Sequence, residues 1–132
     1  MSEENVKLVH EFFAAFERDF VAAIRDYADP EIEWWEDPAF PESGIYRGLE
    51  DVEAYASQFL SAFSEIHYQP VETVDSGNHV VVSLQISGVG SLSGAAFEFS
   101  AWWAMTARNG KVIRCFAYLD RERAFEAVGL SE

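Results

Sequence analysis

The chain has 132 residues, of which 49% are apolar, and it contains 11 Phe, 5 Tyr and 4 Trp. This length and apolar content are typical of one domain with its own hydrophobic core, so we expect a single domain over residues 1–132. The 9 basic and 23 acidic residues give a net charge of −14, which repels polyphosphates and anionic membrane surfaces. The composition therefore argues against a nucleic-acid or membrane partner.

The N-terminal segment and the residues that could bind metals indicate where the protein is located and which cofactors it could hold. The first residues, Met-Ser-Glu-Glu-Asn, resemble no secretory signal, and no apolar run is long enough to span a bilayer, which predicts a cytoplasmic location. The single cysteine, Cys115, excludes an internal disulfide and a cysteine-based zinc site. The histidines His10, His67 and His79 are widely separated. We therefore expect no metal, and likewise no nucleotide or redox cofactor.

Three helices are predicted in the first half of the chain. Apolar residues at helical spacing predict one helix over about residues 3–18 and a second over about 20–28, which must end before Pro30. The segment from about 31 to 37 is rich in strand formers and is followed by a loop rich in Pro and Gly. A third helix is predicted over about 49–64, where Val52, Tyr55, Ala56, Phe59, Leu60 and Phe63 follow the helical pattern.

The second half predicts four antiparallel strands at about 66–75, 79–90, 95–108 and 111–119, followed by a short helix over about 121–128. Side chains of the last two strands alternate between two faces. The predicted core face carries Phe97, Phe99, Ala101, Trp103, Met105, Ile113, Cys115, Ala117 and Leu119. The opposite face carries mostly polar residues together with Trp102, Phe116 and Tyr118.

The three rings on the opposite face have two interpretations. Exposed aromatic residues on the outside of a sheet need cover, and a homodimer through Trp102, Phe116 and Tyr118 would provide it. Single aromatic residues scattered over a surface are also normal in monomers. We expect a homodimer, and the scattered rings of a monomer are the alternative.

Three segments, together with the order of the elements, resemble a known superfamily. They are residues 27–34 (Tyr-Ala-Asp-Pro-Glu-Ile-Glu-Trp) leading to Asp37-Pro38, residues 44–52 (Gly-Ile-Tyr-Arg-Gly-Leu-Glu-Asp-Val), and residues 109–114 running on to Tyr118-Leu119-Asp120-Arg121. Over nearly its whole length the chain resembles the nuclear-transport-factor-2-like superfamily, which includes ketosteroid isomerases, SnoaL-like polyketide cyclases and limonene epoxide hydrolase. The resemblance implies an α+β fold, a cone-shaped curved antiparallel sheet with three helices that enclose a pocket, known as the cystatin-like α+β roll.

Most catalytic residues of these relatives are absent. Asp37 matches the position of the base of ketosteroid isomerase, whereas Phe12 and Trp103 stand where that isomerase has the Tyr and the protonated Asp of its oxyanion hole. Cys115 and Ala117 stand where SnoaL-like cyclases have an inward His and Asp. The Asp/Arg/Asp set of the epoxide hydrolase is also missing. The resemblance therefore implies one catalytic candidate, Asp37, because the superfamily is functionally diverse and each residue must match.

Each candidate polar group has a structural alternative. An apolar environment beside Trp35 would raise the pKa of Asp37 toward that of a useful base, but Asp before Pro also commonly turns the chain. Tyr55 and the indole N–H of Trp103 are possible donors to a ligand oxygen, although each is more often a core aromatic residue whose polar tip is satisfied elsewhere.

The predicted pocket combines aromatic rings with small residues that leave room for a ligand. Its expected lining is Phe12, Phe16, Trp35, Tyr55, Phe59, Trp103, Met105, Cys115 and Ala117. This set contains no Arg or Lys, which favours a small, apolar, uncharged ligand. The predicted function is small-molecule binding, with isomerase- or lyase-type proton transfer at a carbon acid if the protein is an enzyme. The alternative is a non-catalytic homodimeric ligand-binding or interaction module, in which the rings fill the cone.

Overall fold

The computed structural model describes residues 2–38 and 44–129. This part of the chain forms four helices and six strands. The helices are α1 (Ser2–Arg18), α2 (Phe20–Tyr27), α3 (Leu49–Leu60) and α4 (Arg121–Ala127). The strands are β1 (Ala28–Glu36), β2 (Gly44–Arg47), β3 (Phe63–Ser76), β4 (His79–Gly90), β5 (Ala96–Arg108) and β6 (Lys111–Tyr118). This arrangement confirms the predicted α+β class. Among these residues, no helix has both the length and the apolar character that a membrane span requires.

All six strands belong to one sheet, in the order β2-β1-β6-β5-β4-β3. The four strands from β3 to β6 form the predicted antiparallel meander. Strand β1 extends the sheet by pairing parallel to β6, so the sheet contains one parallel pair. Strand β2, which was not predicted, pairs antiparallel with the free edge of β1. A segment of four residues carries too little periodicity to be recognised without that partner.

Two boundaries differ from the sequence-based expectation for local reasons. Helix α3 ends at Leu60 rather than at 64, and Phe63 begins β3 by pairing with Gly90. Strand β1 begins earlier than expected, at Ala28, and continues through Pro30. Its register against β6 shifts between Ala28 and Glu33, so the proline lies in an irregular part of the ladder, where its missing N–H is tolerated.

Helices α1, α2 and α3 pack against one face of the sheet and form the main core. Phe12 is fully buried on α1, and its ring meets the ring of Phe16 edge-on at 4.4 Å. Helix α2 starts at a cap in which the Asp19 side chain accepts a hydrogen bond of 3.0 Å from the backbone N–H of Ala22. Helix α4 packs on the opposite face through a smaller cluster that includes Phe125.

The predicted core face of the last two strands is correct except for Ile113 and Leu119. The register between β5 and β6 shifts between Thr106 and Ala107, which is typical of a β-bulge. As a result Val112 is fully buried in the main core, and Ile113 lies outside it. Leu119 follows the end of β6 and is 38% exposed.

Candidate ligand cavity

A cavity of about 340 Å³ lies between the C-terminal end of α3 and strands β3, β4 and β5, on the face that the helices cover. Its lining consists of Glu36, Phe59, Ala62, Phe63, Ile66, Tyr68, Ile86, Phe97, Phe99 and Trp103. The volume falls in the range of small-molecule sites, which are mostly apolar with a few polar groups. None of the lining residues in the described part of the chain is Arg, Lys or His. The site therefore suits an apolar ligand.

The alternation of side chains along the strands explains which residues form most of the cavity lining. Residues two apart in a strand share a face, which brings Ile66 and Tyr68 of β3 together with Phe97 and Phe99 of β5. Between them, Gly88 of β4 stands opposite Phe97 in the ladder. A Cβ atom at this glycine would come within 2.3 Å of a backbone oxygen and 3.0 Å of the Phe97 ring. The glycine therefore allows the strands and the ring to approach closely beside the cavity.

Glu36, the last residue of β1, supplies a buried carboxyl group to the lining. Its Oε2 accepts a hydrogen bond of 2.6 Å from the indole Nε1 of Trp34, and the hydroxyl of Tyr55 donates a second hydrogen bond. Burial raises the pKa of Glu36 to about 7, with a smaller contribution from the charge of Asp37, and the two hydrogen bonds oppose this increase. The carboxyl group is therefore able to change its protonation state near neutral pH.

The hydroxyl groups of Tyr55 and Tyr68 near Glu36 remain neutral at ordinary pH. Burial and the neighbouring Glu36 carboxylate raise the pKa of Tyr55, so its hydroxyl stays protonated and acts as a donor. The ring of Tyr55 stacks on Tyr46 with 4.4 Å between centroids, which fixes its direction. Burial, and to a lesser degree Glu36, also raises the pKa of Tyr68. Glu36 thus has neutral hydrogen-bond donors in an apolar environment.

Trp103 contributes a buried indole ring to the cavity wall. Its ring lies 5.2 Å from the ring of Trp34, 5.3 Å from that of Phe13 and 5.6 Å from that of Tyr68. Its indole nitrogen is buried and has no hydrogen-bond partner in the described part of the chain. A buried donor without a partner costs about 1–3 kcal/mol, which makes this N–H an unusual feature of the cavity.

Asp37 and Trp35, which the sequence analysis expected in the pocket, lie on the other face of the sheet. The Oδ2 of Asp37 accepts a hydrogen bond of 2.9 Å from Nη1 of Arg123 on α4, and one of 3.4 Å from the backbone N–H of Leu119. The Trp35 ring packs 4.8 Å from that of Tyr118. The expected placement is corrected because alternation along β1 turns its even-numbered side chains inward at this end and its odd-numbered ones outward.

Two predicted residues, Phe59 and Trp103, line the cavity, and Tyr55 reaches it indirectly through Glu36. The remaining predicted lining residues are buried in the main core outside the cavity wall; they are Phe12, Phe16, Met105, Cys115 and Ala117. The rings of α1 pack in this core against those of Trp34 and Trp103. Burial raises the pKa of Cys115, so its thiol remains protonated and is a poor nucleophile.

Sequence reasoning missed Glu36, although a signal was present. Ile32, Trp34 and Glu36 alternate with more exposed residues, which is the pattern of a strand with one buried face. Following this alternation to the end of the strand places Glu36, and not Asp37, beside Trp34. The neighbouring rings Phe97 and Phe99 were assigned to the core face, but their position at a cavity depends on where α3 ends.

The histidines hold separate positions. His10 contacts Thr73 and His79 contacts Thr106, each through hydrogen bonds of less than 3 Å. His67 lies between Glu17 and Glu65, at 3.0 and 3.1 Å from their carboxylate oxygens. Within residues 2–38 and 44–129, no group of three or more His, Cys, Asp or Glu side chains could hold a metal ion.

Several solved structures have a similar architecture. Structures similar to it include an NTF2-like protein from Burkholderia xenovorans LB400, which is 30% identical with a TM-score of 0.76 and an alignment over 91% of this chain and 92% of that chain. TerC co-crystallised with polyporic acid is 20% identical, with a TM-score of 0.79 and coverage of 94% and 96%. A putative SnoaL-like polyketide cyclase from Jannaschia sp. CCS1 is 16% identical, with a TM-score of 0.78 and coverage of 89% and 85%.

A search of curated protein sequences finds no significant match. The family model described as the SnoaL-like domain, in contrast, matches residues 9–115, which include α2, α3, the first five strands and most of α1 and β6. The resemblance inferred from the three sequence segments is thus confirmed at the level of family and fold. The chain belongs to the SnoaL-like domain family.

Proposed function

We propose that the chain binds a small, mostly apolar, uncharged molecule in the cavity and that Glu36 acts on it as a general base. The observation that carries this proposal is the buried Glu36 carboxyl group in the apolar wall, whose pKa is about 7. A general base is most effective when its pKa lies near the working pH. The corresponding reaction class is isomerase- or lyase-type proton transfer at a carbon acid.

In such a reaction the Glu36 carboxylate takes a proton from a carbon next to a ligand carbonyl. The C–H electron pair forms a carbon–carbon double bond, and the carbonyl π electrons move to the oxygen. The protonated Glu36 then returns its proton to the same carbon or to another one. Trp34 and Tyr55 orient the carboxylate through their hydrogen bonds, and the rings of the lining give the ligand an apolar surface.

This proposal replaces Asp37 by Glu36 as the base. Asp37 forms an ion pair with Arg123 and is not part of the cavity lining. Support for a small-molecule ligand also comes from TerC, a similar fold that was co-crystallised with polyporic acid.

The test uses 2-tetralone, a hydrophobic bicyclic ketone, in D₂O with NMR detection of exchange at the carbons next to the carbonyl. Glu36→Gln should lower the enzyme-dependent exchange rate by about 10²–10⁴-fold, the usual contribution of a general base. A thermal-shift measurement should still show binding, since Gln preserves the size of the side chain. Asp37→Asn is the matched control and should exchange at nearly the wild-type rate. Unchanged exchange in Glu36→Gln would contradict the proposed base.

The second candidate is a non-catalytic homodimeric binding or interaction module, supported by partly exposed rings on the outer sheet face. These rings are Trp35, Trp102, Phe116 and Tyr118. Part of their cover comes from the chain itself, because Arg121 lies 5.4 Å from the Trp102 ring and Arg114 lies 5.3 Å from the Phe116 ring. Sedimentation velocity should show a dimer that Phe116→Glu weakens. A monomer at high micromolar concentration would exclude this candidate.

A further inference from the structure

A second concave site lies on the outer face of the sheet, away from the apolar cavity. It is an open groove of about 640 Å³. Its charged lining residues are Arg47, Arg108, Arg114, Glu31 and Glu33, and we name it the arginine groove. We propose that this groove binds a small molecule through one carboxylate or phosphate group held between Arg108 and Arg114.

The charge of the arginine groove is opposite to that of the whole chain. Its three guanidiniums and two carboxylates leave one positive charge, whereas the chain has a net charge of −14. Three of the nine basic residues of the sequence therefore meet in one concavity. An anion is attracted here and repelled over most of the remaining surface. This favours a small ligand with a single anionic group, because a longer polyanion would extend over acidic surface.

Two irregularities in strand pairing coincide at the arginine groove. In the ladder between β5 and β6, a register shift leaves Ile113 as an extra residue beside Arg114. On the other side of β6, strand β1 advances from Ala28 to Glu33 while β6 advances only from Val112 to Arg114. Bulges bend a strand and redirect its side chains, and they are over-represented beside functional sites. Both irregularities therefore distort the sheet where the groove lies.

Arg108 and Arg114 have most of their hydrogen-bond donors available. Among the described residues, the carboxylate oxygen nearest to the Arg108 guanidinium is Oδ2 of Asp29, and their separation of 3.9 Å is too long for a hydrogen bond. Arg114 reaches Oε1 of Glu33 only at 3.5 Å, whereas Arg47 donates to Oε2 of Glu33 at 3.1 Å. Each guanidinium carries five N–H donors. Arg108 and Arg114 are therefore the two that an added anion can engage.

Strand pairing places these two guanidiniums close enough to share one oxyanion. Thr106 pairs with Arg114 across the ladder, and Arg108 follows Thr106 by two residues on the same strand. Diagonal neighbours of this kind lie about 7–8 Å apart, within reach of long side chains. The Arg114 guanidinium lies over the ring of Phe116, 5.3 Å from its centroid, which leaves the N–H groups at the guanidinium edge available. The oxygens of a carboxylate or phosphate can accept from both arginines.

Glu33 shows how a carboxylate is held in the arginine groove. Its Oε2 contacts Arg47 and its Oε1 contacts Arg114. Glu33 therefore competes with an incoming anion for the Arg114 guanidinium. Removing its charge while keeping its size should make the groove a stronger anion site. A cluster of ion pairs with only a structural role predicts no such gain.

The experiment titrates the ¹⁵N-labelled wild type with phenyl phosphate, benzoate and benzyl alcohol at constant ionic strength. The three probes share an aromatic ring and differ in the attached group, which is a phosphate, a carboxylate or a neutral hydroxyl. The amide resonances of Thr106, Arg108 and Arg114 should shift to saturation with at least one anion and not with benzyl alcohol. The anion that binds more tightly identifies the preferred group.

Variants locate the site. Arg108→Gln and Arg114→Gln should each weaken anion binding roughly tenfold, the usual value of a charge-assisted hydrogen bond. Arg25→Gln is the matched control, because it removes the same charge from a similarly exposed arginine on α2. Its binding constant should change by less than about twofold, since salt screens a distant exposed charge. Glu33→Gln should bind the anion several-fold more tightly than the wild type, a gain that partial unfolding cannot produce.

The proposal is overturned if the wild type shows no saturable shift with either anion, or binds benzyl alcohol equally well. Arg108→Gln and Arg114→Gln variants that bind like Arg25→Gln would also overturn it, because the effect would then reflect net charge alone. The same holds for a Glu33→Gln variant that binds no more tightly than the wild type. None of these outcomes alters the proposed role of Glu36, which the exchange measurement tests separately.

Discussion

Glu36 and Asp37 are neighbours at the end of β1, yet their carboxyl groups occupy different environments on opposite faces of the sheet. Glu36 faces an apolar cavity, accepts hydrogen bonds from the neutral groups of Trp34 and Tyr55, and has a pKa of about 7. Asp37 faces α4, where the guanidinium of Arg123 lies 2.9 Å from its Oδ2. Both residues are buried, so burial alone does not distinguish them.

The comparison teaches that the partner decides what a buried carboxyl group can do. The ion pair between Asp37 and Arg123 fixes α4 to the sheet, which is a structural role. Neutral donors in an apolar wall leave the protonated and charged forms close in free energy, which is what proton transfer requires.

The largest expected effect is the pH dependence of exchange. Since the proposed base acts as a carboxylate, its rate should reach a plateau above pH 7 and fall about tenfold per pH unit below it. The rate at pH 5 should therefore be roughly a hundredfold below the plateau. NMR exchange measurements from pH 5 to 9 would check this. Asp37→Asn should lower the midpoint only slightly, because the charge of Asp37 makes a small contribution to the raised pKa of Glu36. A profile that keeps its shape in Glu36→Gln would show that another group titrates.

The next effect is on stability. The folded protein favours protonated Glu36, because its pKa is raised from 4.5 to about 7. This contribution is complete below pH 4.5 and is lost as the pH rises through 7, a change of roughly 3 kcal/mol in the free energy of unfolding. Glu36→Gln should therefore be more stable than the wild type at pH 8, with little advantage at pH 4.5. Urea unfolding at both pH values measures the difference, and equal curves would contradict the raised pKa.

Removal of Arg123, which forms an ion pair with Asp37, should have a smaller effect on the free energy of unfolding. Arg123→Met leaves a carboxylate that is 6% exposed without its guanidinium. Because Arg123 itself is 46% exposed, solvent screens the pair, and we expect a loss of about 1–2 kcal/mol rather than the value of a fully buried ion pair. Asp37→Asn combined with Arg123→Met should recover part of this loss. Additive losses in urea unfolding would show that the two side chains do not interact.

The smallest effect concerns His67, an exposed group that could be confused with Glu36 in pH measurements. Hydrogen bonds to Glu17 and Glu65 raise the pKa of His67 above its ordinary value. The stabilisation is present at low pH and is lost as the pH rises through this raised pKa, the same direction as for Glu36. His67→Gln should lower the melting temperature slightly at pH 6 and not at pH 9. A loss at pH 9 of equal size would indicate packing instead of charge.

The helices of the first half and the antiparallel meander could be predicted because each carries its own periodicity. Val9, Phe12 and Phe16 mark the buried stripe of α1, and the alternation of β5 marks its two faces. The end of α3 could not be predicted, because Phe63 continues the helical spacing and yet belongs to β3. Ile113 was misplaced because a bulge depends on the pairing of two strands rather than on either strand alone.

The sequence by itself determined the α+β class, the order of most elements and the family, since local periodicity and short segments carry that information. Only the tertiary structure decided that Glu36 rather than Asp37 faces the cavity, that the cavity lies between α3 and strands β3 to β5, and that the indole nitrogen of Trp103 has no hydrogen-bond partner among the described residues. These features depend on strand register and on which rings fill the space under α1. Contacts between residues far apart in the chain decide both, and no local pattern records them.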